Sequence, residues 1–383
     1  MRILFVAPAY WPSSAFGGPI SVIRELARGL VARGHVVDVV TTSLVDLQSS
    51  PARRARRAAV DGATVHYLAT PFRYRWMGIT PSVWRALEAL DRPDVVHVFG
   101  FRDFVGTIAS AWARRRGVPH VFEGLGMVRP KLRKVALKRA LDATVYRSVL
   151  RDATLLVAAS EREAEEYRAA GVAADAIVVR PNGFPSPMEP ARRPGRLRRL
   201  LGLDADAPLV LSVGRIARGK GLDLLLEAAR DLPGEAHIAI AGPDDRHGLA
   251  EELARRLSAW ELGERVHLLG PLEGPLDDVY ADADVFVLAS AHENFGLVAA
   301  EAAAAGVASV VSDRCGVAEL LRDRAALVVP YEAQAVRDAI ARLLADSLLR
   351  GRLGAAGREV AVEYGWPRVV AQQEAIYRQL APR

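Results

Sequence analysis

Only one of the 383 residues is a cysteine, Cys315, and only four are methionines. A single cysteine excludes an intrachain disulfide and fits a reducing compartment, so an apolar core must hold the fold. Aromatic residues make up 7% of the chain, and no apolar run reaches the roughly 20 residues that span a bilayer. Met1-Arg-Ile-Leu-Phe-Val-Ala7 is too short a run, and too soon followed by Trp11-Pro12, for a signal peptide. It reads as a first strand, and a cytoplasmic protein is expected. The G-x-x-x-x-G-K-[ST] phosphate loop is absent.

What is present is ordinary for a globular chain, with 51% hydrophobic and 25% charged residues. The length exceeds one core and predicts two domains. The net charge of +6 hides an asymmetry: residues 1–190 carry 27 Lys+Arg against 17 Asp+Glu, and residues 191–383 carry 24 against 28. The basic charge gathers in Arg53-Arg54-Ala-Arg56-Arg57, Arg114-Arg-Arg116 and Arg129-Pro-Lys-Leu-Arg-Lys134 with Lys138-Arg139. These clusters lack interleaved aromatics and any binding module, which argues against nucleic acid. They leave open solvated helix faces, an anionic acceptor, or peripheral contact with the inner face of a membrane.

Ile3–Val6, a helix with Ile23, Leu26, Ala27, Leu30 and Val31 on one face, and Val36–Thr42 form a β-α-β unit, which implies a parallel sheet. The loop inside it ends Phe16-Gly17-Gly18-Pro19 and is not G-x-G-x-x-G. Gly17 and Gly18 are either turn glycines or points of close backbone approach. Further strands are predicted at Thr64–Leu68, Asp94–Gly100, from Pro119, and at Leu155–Ala159. A long basic helix is predicted over Val135 to Arg151, and Ser160 with Glu163 reads as a capping box. His97 and Glu123, with Gly124 and Met127, stand where parallel strands end, the usual ligand edge of such sheets. His97 could equally be a core histidine, and Glu123 a structural carboxylate. A proline-rich connector sets the expected boundary: residues 1–188, 189–365, and a C-terminal helix in 366–383 that crosses back to the first domain. A second β-α series starts at Leu209–Val213.

In that second series the strand-to-helix turns carry chemistry. Gly214-Arg215-Ile-Ala-Arg-Gly-Lys220-Gly221 places cations and glycines where a diphosphate could be cradled. Ala241-Gly242-Pro-Asp and Gly270-Pro-Leu272 end the next two strands. Ser290-Ala-His-Glu293-Asn294-Phe295-Gly296-Leu297-Val298-Ala-Ala-Glu301 then sets two carboxylates on either side of a helix N-terminus, where amides suit an anion. A ligand with hydroxyls at both ends and phosphates between them, a nucleotide sugar, fits that pattern; two solvated glutamates fit the spacing as well. Asp282-Ala-Asp284 spells D-x-D, but it precedes a strand and reads as a turn into the sheet.

Gly-Arg-x-x-x-x-Lys-Gly-x-Asp at 214–223, Ala-Gly-Pro-Asp at 241–244, and His-Glu-Asn-Phe-Gly at 292–296 with Glu301 together resemble the retaining family-4 glycosyltransferases of the GT-B fold. Gly17-Gly18, Arg33-Gly34-His35 and Asp94-Val-Val-His-Val98 extend the resemblance along the whole chain. It implies two Rossmann-like, doubly wound parallel-sheet domains facing a central cleft, the first binding acceptor and the second donor. By that resemblance Arg215, Lys220 and the amides at 295–298 neutralise the leaving diphosphate. Glu301 binds ribose hydroxyls, and Glu293 binds the sugar. Gly17, Gly18, Gly214, Gly242, Leu272 and Asn294 complete the donor site. No metal and no cofactor beyond the nucleotide sugar is required.

Leu125 stands near the place where many relatives carry a histidine or arginine, and Phe99 where they often carry a second histidine, so the acceptor end departs from the pattern. The expected activity is a metal-independent hexosyltransferase that moves a hexose or amino sugar with retention. The donor is a UDP sugar ahead of a GDP sugar. The acceptor is a hydroxyl of a glycolipid, a polysaccharide or a small product such as an aminocyclitol. A nucleotide-sugar 2-epimerase and a non-catalytic nucleotide-sugar binder are the alternatives.

Overall fold

Each apolar run that the sequence marks as a strand lies in one of two sheets in the computed structural model. Residues 1–13, 17–45, 54–74, 76–130, 136, 140–142, 144, 146–188, 195–245 and 248–381 are described. The chain divides into one unit of Met1–Asn182 with Trp366–Arg383 and another of Gly183–Gly365.

The strands of the first unit are β1 (Arg2–Ala7), β2 (Val36–Thr42), β3 (Arg56–Val60), β4 (Ala63–Leu68), β5 (Phe72–Tyr74), β6 (Met77–Ile79), β7 (Val95–Phe99), β8 (His120–Glu123), β9 (Leu155–Ala158) and β10 (Ile177–Val179). Eight of them form a sheet in the order β10-β9-β8-β7-β1-β2-β4-β3, and β5 and β6 form a separate antiparallel hairpin. Every pairing in the large sheet is parallel except β3 with β4. Val95–Phe99 and His120–Glu123 are buried throughout, because helices cover both faces and leave no solvent side to alternate with. Strand order reverses between β1 and β7, which pair in register Phe5↔His97.

The second unit has β11 (Leu209–Val213), β12 (His237–Ala241), β13 (Val266–Gly270), β14 (Val285–Leu288), β15 (Ala308–Ser312) and β16 (Ala326–Val329). They run in the order β13-β12-β11-β14-β15-β16, all parallel. This is the doubly wound arrangement, with its switch point between β11 and β14. Leu225, Leu226, Ile238, Ile240, Val285 and Val287 belong to one buried cluster beneath that point.

Several expectations need correction. The break falls after Asn182, not 188, because Phe184 already pairs with Gly365 and its amide donates to the Tyr364 carbonyl at 2.9 Å. The long basic helix is not continuous: Thr144 is in a turn and Tyr146 in a bend before a five-residue helix, Arg147–Arg151. Phe16, Arg53, residues 131–135 and 137–139, and Pro190 and Pro194 lie outside the described residues, and with them most of the Arg129–Arg139 cluster. Part of the segment marked only as basic is the edge strand β3, and the hairpin β5–β6 is additional.

The last helix, Trp366–Leu380, packs against the helix Gly18–Ala32 of its own unit. Val369, Val370 and Ile376 are buried. Glu374 accepts from Arg33 Nε at 2.5 Å and pairs with His35 Nε2 at 3.0 Å, which holds its carboxyl down at about 2. The sequence Arg33-Gly34-His35 therefore anchors a helix that lies 340 positions away in the chain, roughly the full length.

Candidate functional site

The geometry centres on the switch point of the second sheet, where neighbouring strands send their loops apart and leave room above the carboxyl ends. The turn after β11 is held by backbone bonds. Gly214 N–H donates to the Ala241 carbonyl at 2.9 Å, and Gly242 N–H to Gly270 at 2.8 Å. Gly242 has φ 147°, and a Cβ built there would overlap the Gly214 carbonyl, so the loops after β11 and β12 lie together only because this residue is glycine. Across the switch point, Ala291 N–H donates to the Gly219 carbonyl at 2.9 Å. That bond ties the loop after β11 to the loop after β14.

The loop Ser290–Gly296 is fixed from its other side by residues 314–317. Glu293 N–H donates to the Arg314 carbonyl and Gly316 N–H to the Glu293 carbonyl, both at 3.2 Å, and Val317 N–H donates to Phe295 at 2.7 Å. Gly296 (φ 107°) then starts the helix Leu297–Ala304 without a side-chain cap. The first amides of a helix have no acceptor inside it, so those at 297 and 298 point their donors outward. Phe295 is buried, and Asn294, Leu297 and Val298 are half-buried around this end.

On this frame Lys220 Nζ donates to Glu293 Oε2 at 2.5 Å, with side chains 24% and 21% exposed, and Ser290 Oγ lies 3.4 Å from the same oxygen. Arg215 is exposed, and its side chain has no hydrogen-bond or ion-pair partner among the described residues. Eight positions after Glu293, Glu301 Oε2 accepts from the Tyr280 hydroxyl at 2.5 Å. Burial pushes the Glu301 carboxyl up, the Tyr280 bond opposes that, and Asp277 adds to it. Lys220, Glu293 and the helix N-terminus therefore sit together, with Glu301 along the helix and Arg215 on the adjoining loop. Leu272 lies in the loop leaving β13. Such a set can neutralise an anion and accept bonds from hydroxyls. Tyr280 and the backbone clamp at 314–317 were not read from sequence; the clamp leaves no side-chain signal, and Tyr280 is one aromatic in a short polar helix.

Asp282 and Asp284 are fully engaged elsewhere. Asp282 accepts from the Gly195 and Arg198 amides at 2.8 and 3.0 Å, and Asp284 from Arg198 Nη2 at 2.8 Å and the Leu209 amide at 2.9 Å. The pair builds the entrance to the second sheet, at the amino ends of β11 and β14.

In the first unit Gly17 (φ 81°) caps the helix that Gly18 begins, with Pro19 in its first turn. The expected acceptor residues meet differently. His97 and Glu123 are both at 0% exposure. Arg180 Nη2 donates to Glu123 Oε2 at 2.6 Å, His97 Nε2 stands 3.5 Å from that oxygen, and His97 Nδ1 bonds the Tyr377 hydroxyl at 2.5 Å. Burial, and secondarily Arg180, holds His97 well below the usual imidazole range, while burial raises Glu123 against the pull of Arg180. These two side chains form an internal network and present no atom to solvent, which corrects their reading as acceptor ligands. Gly124 is also buried, its amide donating to the Tyr167 hydroxyl at 2.8 Å; Met127 is half-buried.

Two doubly wound parallel sheets in one chain, one carrying this cation–carboxylate set at its switch point, define a protein of GT-B architecture. The model described as glycosyl transferases group 1 matches residues 196–360, and the glycosyl transferase 4-like domain matches residues 17–183. The chain is 30% identical to the D-inositol 3-phosphate glycosyltransferase of Xylanimonas cellulosilytica, over 100% of this chain and 97% of that one. Among solved structures, sucrose-phosphate synthase from Thermosynechococcus elongatus superposes with a TM-score of 0.80 at 24% identity over 99% of each chain. Anabaena HepE in complex with UDP superposes with a TM-score of 0.79 at 18% identity over 99% of this chain and 100% of that one. The chain belongs to the family-4 glycosyltransferases. No helix among the described residues is long and apolar enough to cross a membrane.

Proposed function

We propose that this glycosyltransferase acts with retention and without a metal, taking its sugar from a nucleotide diphosphate sugar, UDP ahead of GDP. The observation that carries the reading is the Lys220–Glu293 contact at 2.5 Å, set beside Arg215 and the N-terminus of Leu297–Ala304. In the proposed reaction the bond from the anomeric carbon to the diphosphate oxygen breaks, and its electron pair leaves with the nucleotide. The acceptor oxygen bonds the same face of the sugar, and its proton passes to the departing phosphate. Negative charge grows on the diphosphate, where Lys220, Arg215 and the helix amides stabilise it. Glu293 orients the sugar hydroxyls, and its charge favours the oxocarbenium character of the anomeric carbon. Glu301 takes the ribose hydroxyls.

UDP as the nucleotide is supported by the UDP-bound structural neighbour. The name of the Xylanimonas relative supports a small polyhydroxylated acceptor of the cyclitol kind.

The test measures sugar release from UDP, GDP and ADP sugars, with and without polyol acceptors, for the wild type and Lys220→Ala. Removing a preorganised charge at the leaving group lowers turnover by about 100- to 1000-fold. Near-normal transfer by a folded Lys220→Ala protein overturns the site assignment.

A further inference from the structure

Glu301 has one hydrogen-bond partner for its carboxyl among the described residues, and that partner lies on another helix. Tyr280 sits on Asp277–Asp282, is 1% exposed, and packs its ring against Phe286 at 5.7 Å between centroids. Its hydroxyl donates to Glu301 Oε2 at 2.5 Å, and no other bond to either group is present among the described residues. The arrangement leaves Oε1 of Glu301 as the oxygen without a protein donor. A glutamate on the first two turns of a helix otherwise has several rotamers open to it, and a buried phenol in a fixed ring position selects one.

We propose that Tyr280 is a positioning residue for nucleotide recognition: by occupying Oε2 of Glu301 it orients that carboxylate so that Oε1 faces the ribose diol of the donor. The inference rests on the reading of Glu301 as the ribose ligand. Tyr280 itself, buried behind the carboxylate, touches no ligand.

The contact also has an electrostatic consequence. The charged groups that bear on Glu301 are few. Asp277, on the helix of Tyr280, repels its charge. Arg358, from the helix Ser347–Glu363 packed on the same element, donates to the Ala305 carbonyl at the far end. Glu293, on the loop before, is paired with Lys220. Burial already raises Glu301, and Tyr280 supplies the opposing bond. A diol donates to the ionised carboxylate, so affinity falls as pH drops through the Glu301 value. Loss of the phenol lets that value rise further, and the acid fall then begins at a higher pH.

The experiment measures UDP, 2′-deoxy-UDP and 3′-deoxy-UDP binding by calorimetry from pH 5 to pH 8.5, on the whole chain. The variants are Tyr280→Phe, Glu301→Gln and Asp277→Asn. A charge-assisted hydrogen bond lost from the ribose weakens binding by about tenfold or more, so Glu301→Gln binds UDP that much less tightly and prefers it less over the deoxy analogues. Tyr280→Phe shows a smaller loss at pH 8.5, reduced discrimination between UDP and its deoxy analogues, and an acid limb moved to higher pH. Asp277→Asn, which keeps the phenol and relieves the repulsion, moves that limb the other way and keeps the discrimination, so a loss of discrimination in Tyr280→Phe is assigned to the phenol and not to the charge on Glu301. Glu301→Gln with wild-type affinity and discrimination removes the ribose reading itself. Glu301→Gln impaired, with Tyr280→Phe unchanged in discrimination and in pH profile, leaves the donor site standing and overturns the role of Tyr280.

Discussion

Replacing Arg180 by methionine tests whether the buried network of the first unit is structural. Arg180 is 1% exposed and Glu123 0%, and the 2.6 Å bond between them is the one hydrogen bond to the Glu123 carboxyl among the described residues. Methionine fills much of the arginine volume but leaves a carboxylate where no water reaches it. Breaking a buried pair from one side costs about 3–5 kcal/mol, because the remaining charge is uncompensated. In a unit of this size each kcal/mol moves the midpoint by about 2–4 °C, which predicts a fall of about 6–20 °C.

The direction with pH is fixed by linkage. Glu123 is already raised in the folded state, and without Arg180 it rises further, so the folded state binds the proton more tightly than the unfolded chain does. Stability attached to that proton is lost as pH rises, and the deficit of Arg180→Met is therefore larger at pH 8 than at pH 5. Adding Glu123→Leu removes the stranded charge, and a buried pair exchanged for apolar side chains is close to neutral. The assay is thermal melting by circular dichroism of both single variants and the double, read beside binding of UDP, the proposed donor nucleotide, as a report on the second unit. An Arg180→Met protein that melts within a degree or two of wild type refutes the reasoning. So does a double variant no more stable than the single one.

His120 is also buried and is pushed down to about 4 by burial and Arg114, against the attraction of Asp152. The unfolded chain takes up the proton near 6.5, so stability falls as pH drops from there to about 4, by up to about 3 kcal/mol. His120→Gln should flatten that acid loss in melts taken across this range; an unchanged slope would assign it to other groups. Gly242→Ala places a Cβ against the Gly214 carbonyl at a φ of 147°, and should destabilise the second unit by about 3 kcal/mol and weaken UDP binding. A variant with wild-type melting and affinity would show that the two loops can separate freely.

What the sequence disclosed follows from how local its causes are. Continuous apolar runs such as Val285–Leu288 mark buried parallel strands because both faces are covered, and the capping pair Ser160–Glu163 works within one turn, Glu163 N–H donating to Ser160 Oγ at 3.2 Å. The edge strand β3 is not legible in the sequence because none of its residues is buried and its arginines face water, which is how an edge is protected and also how a loop is spelled. Glu123 ends β8 as expected, but His97 stands in the middle of β7, and position alone does not say which way a polar strand residue turns. Arg180, 57 positions beyond Glu123, and Tyr377, 280 beyond His97, decide that they turn inward. A partner at such separation leaves no periodicity to detect.

Lys220 and Glu293 are 73 positions apart and were nevertheless legible, because each stands in the loop leaving one of the two strands that flank the switch point. The topology, rather than any spacing, makes them neighbours. Their contact bears on how the proposed donor would bind. A free lysine has about 2 kcal/mol of rotamer entropy to lose on meeting a phosphate. Lys220 loses much of it on folding, since the Ala291–Gly219 backbone bond and the clamp at 314–317 fix both ends of the ion pair. An ammonium has three donors, so Glu293 can keep one while a diphosphate oxygen takes another. In the proposed reaction the carboxylate would thus order the cation that the leaving group needs, while its second oxygen would remain for a sugar hydroxyl, so that one ion pair would serve both products of the cleaved bond.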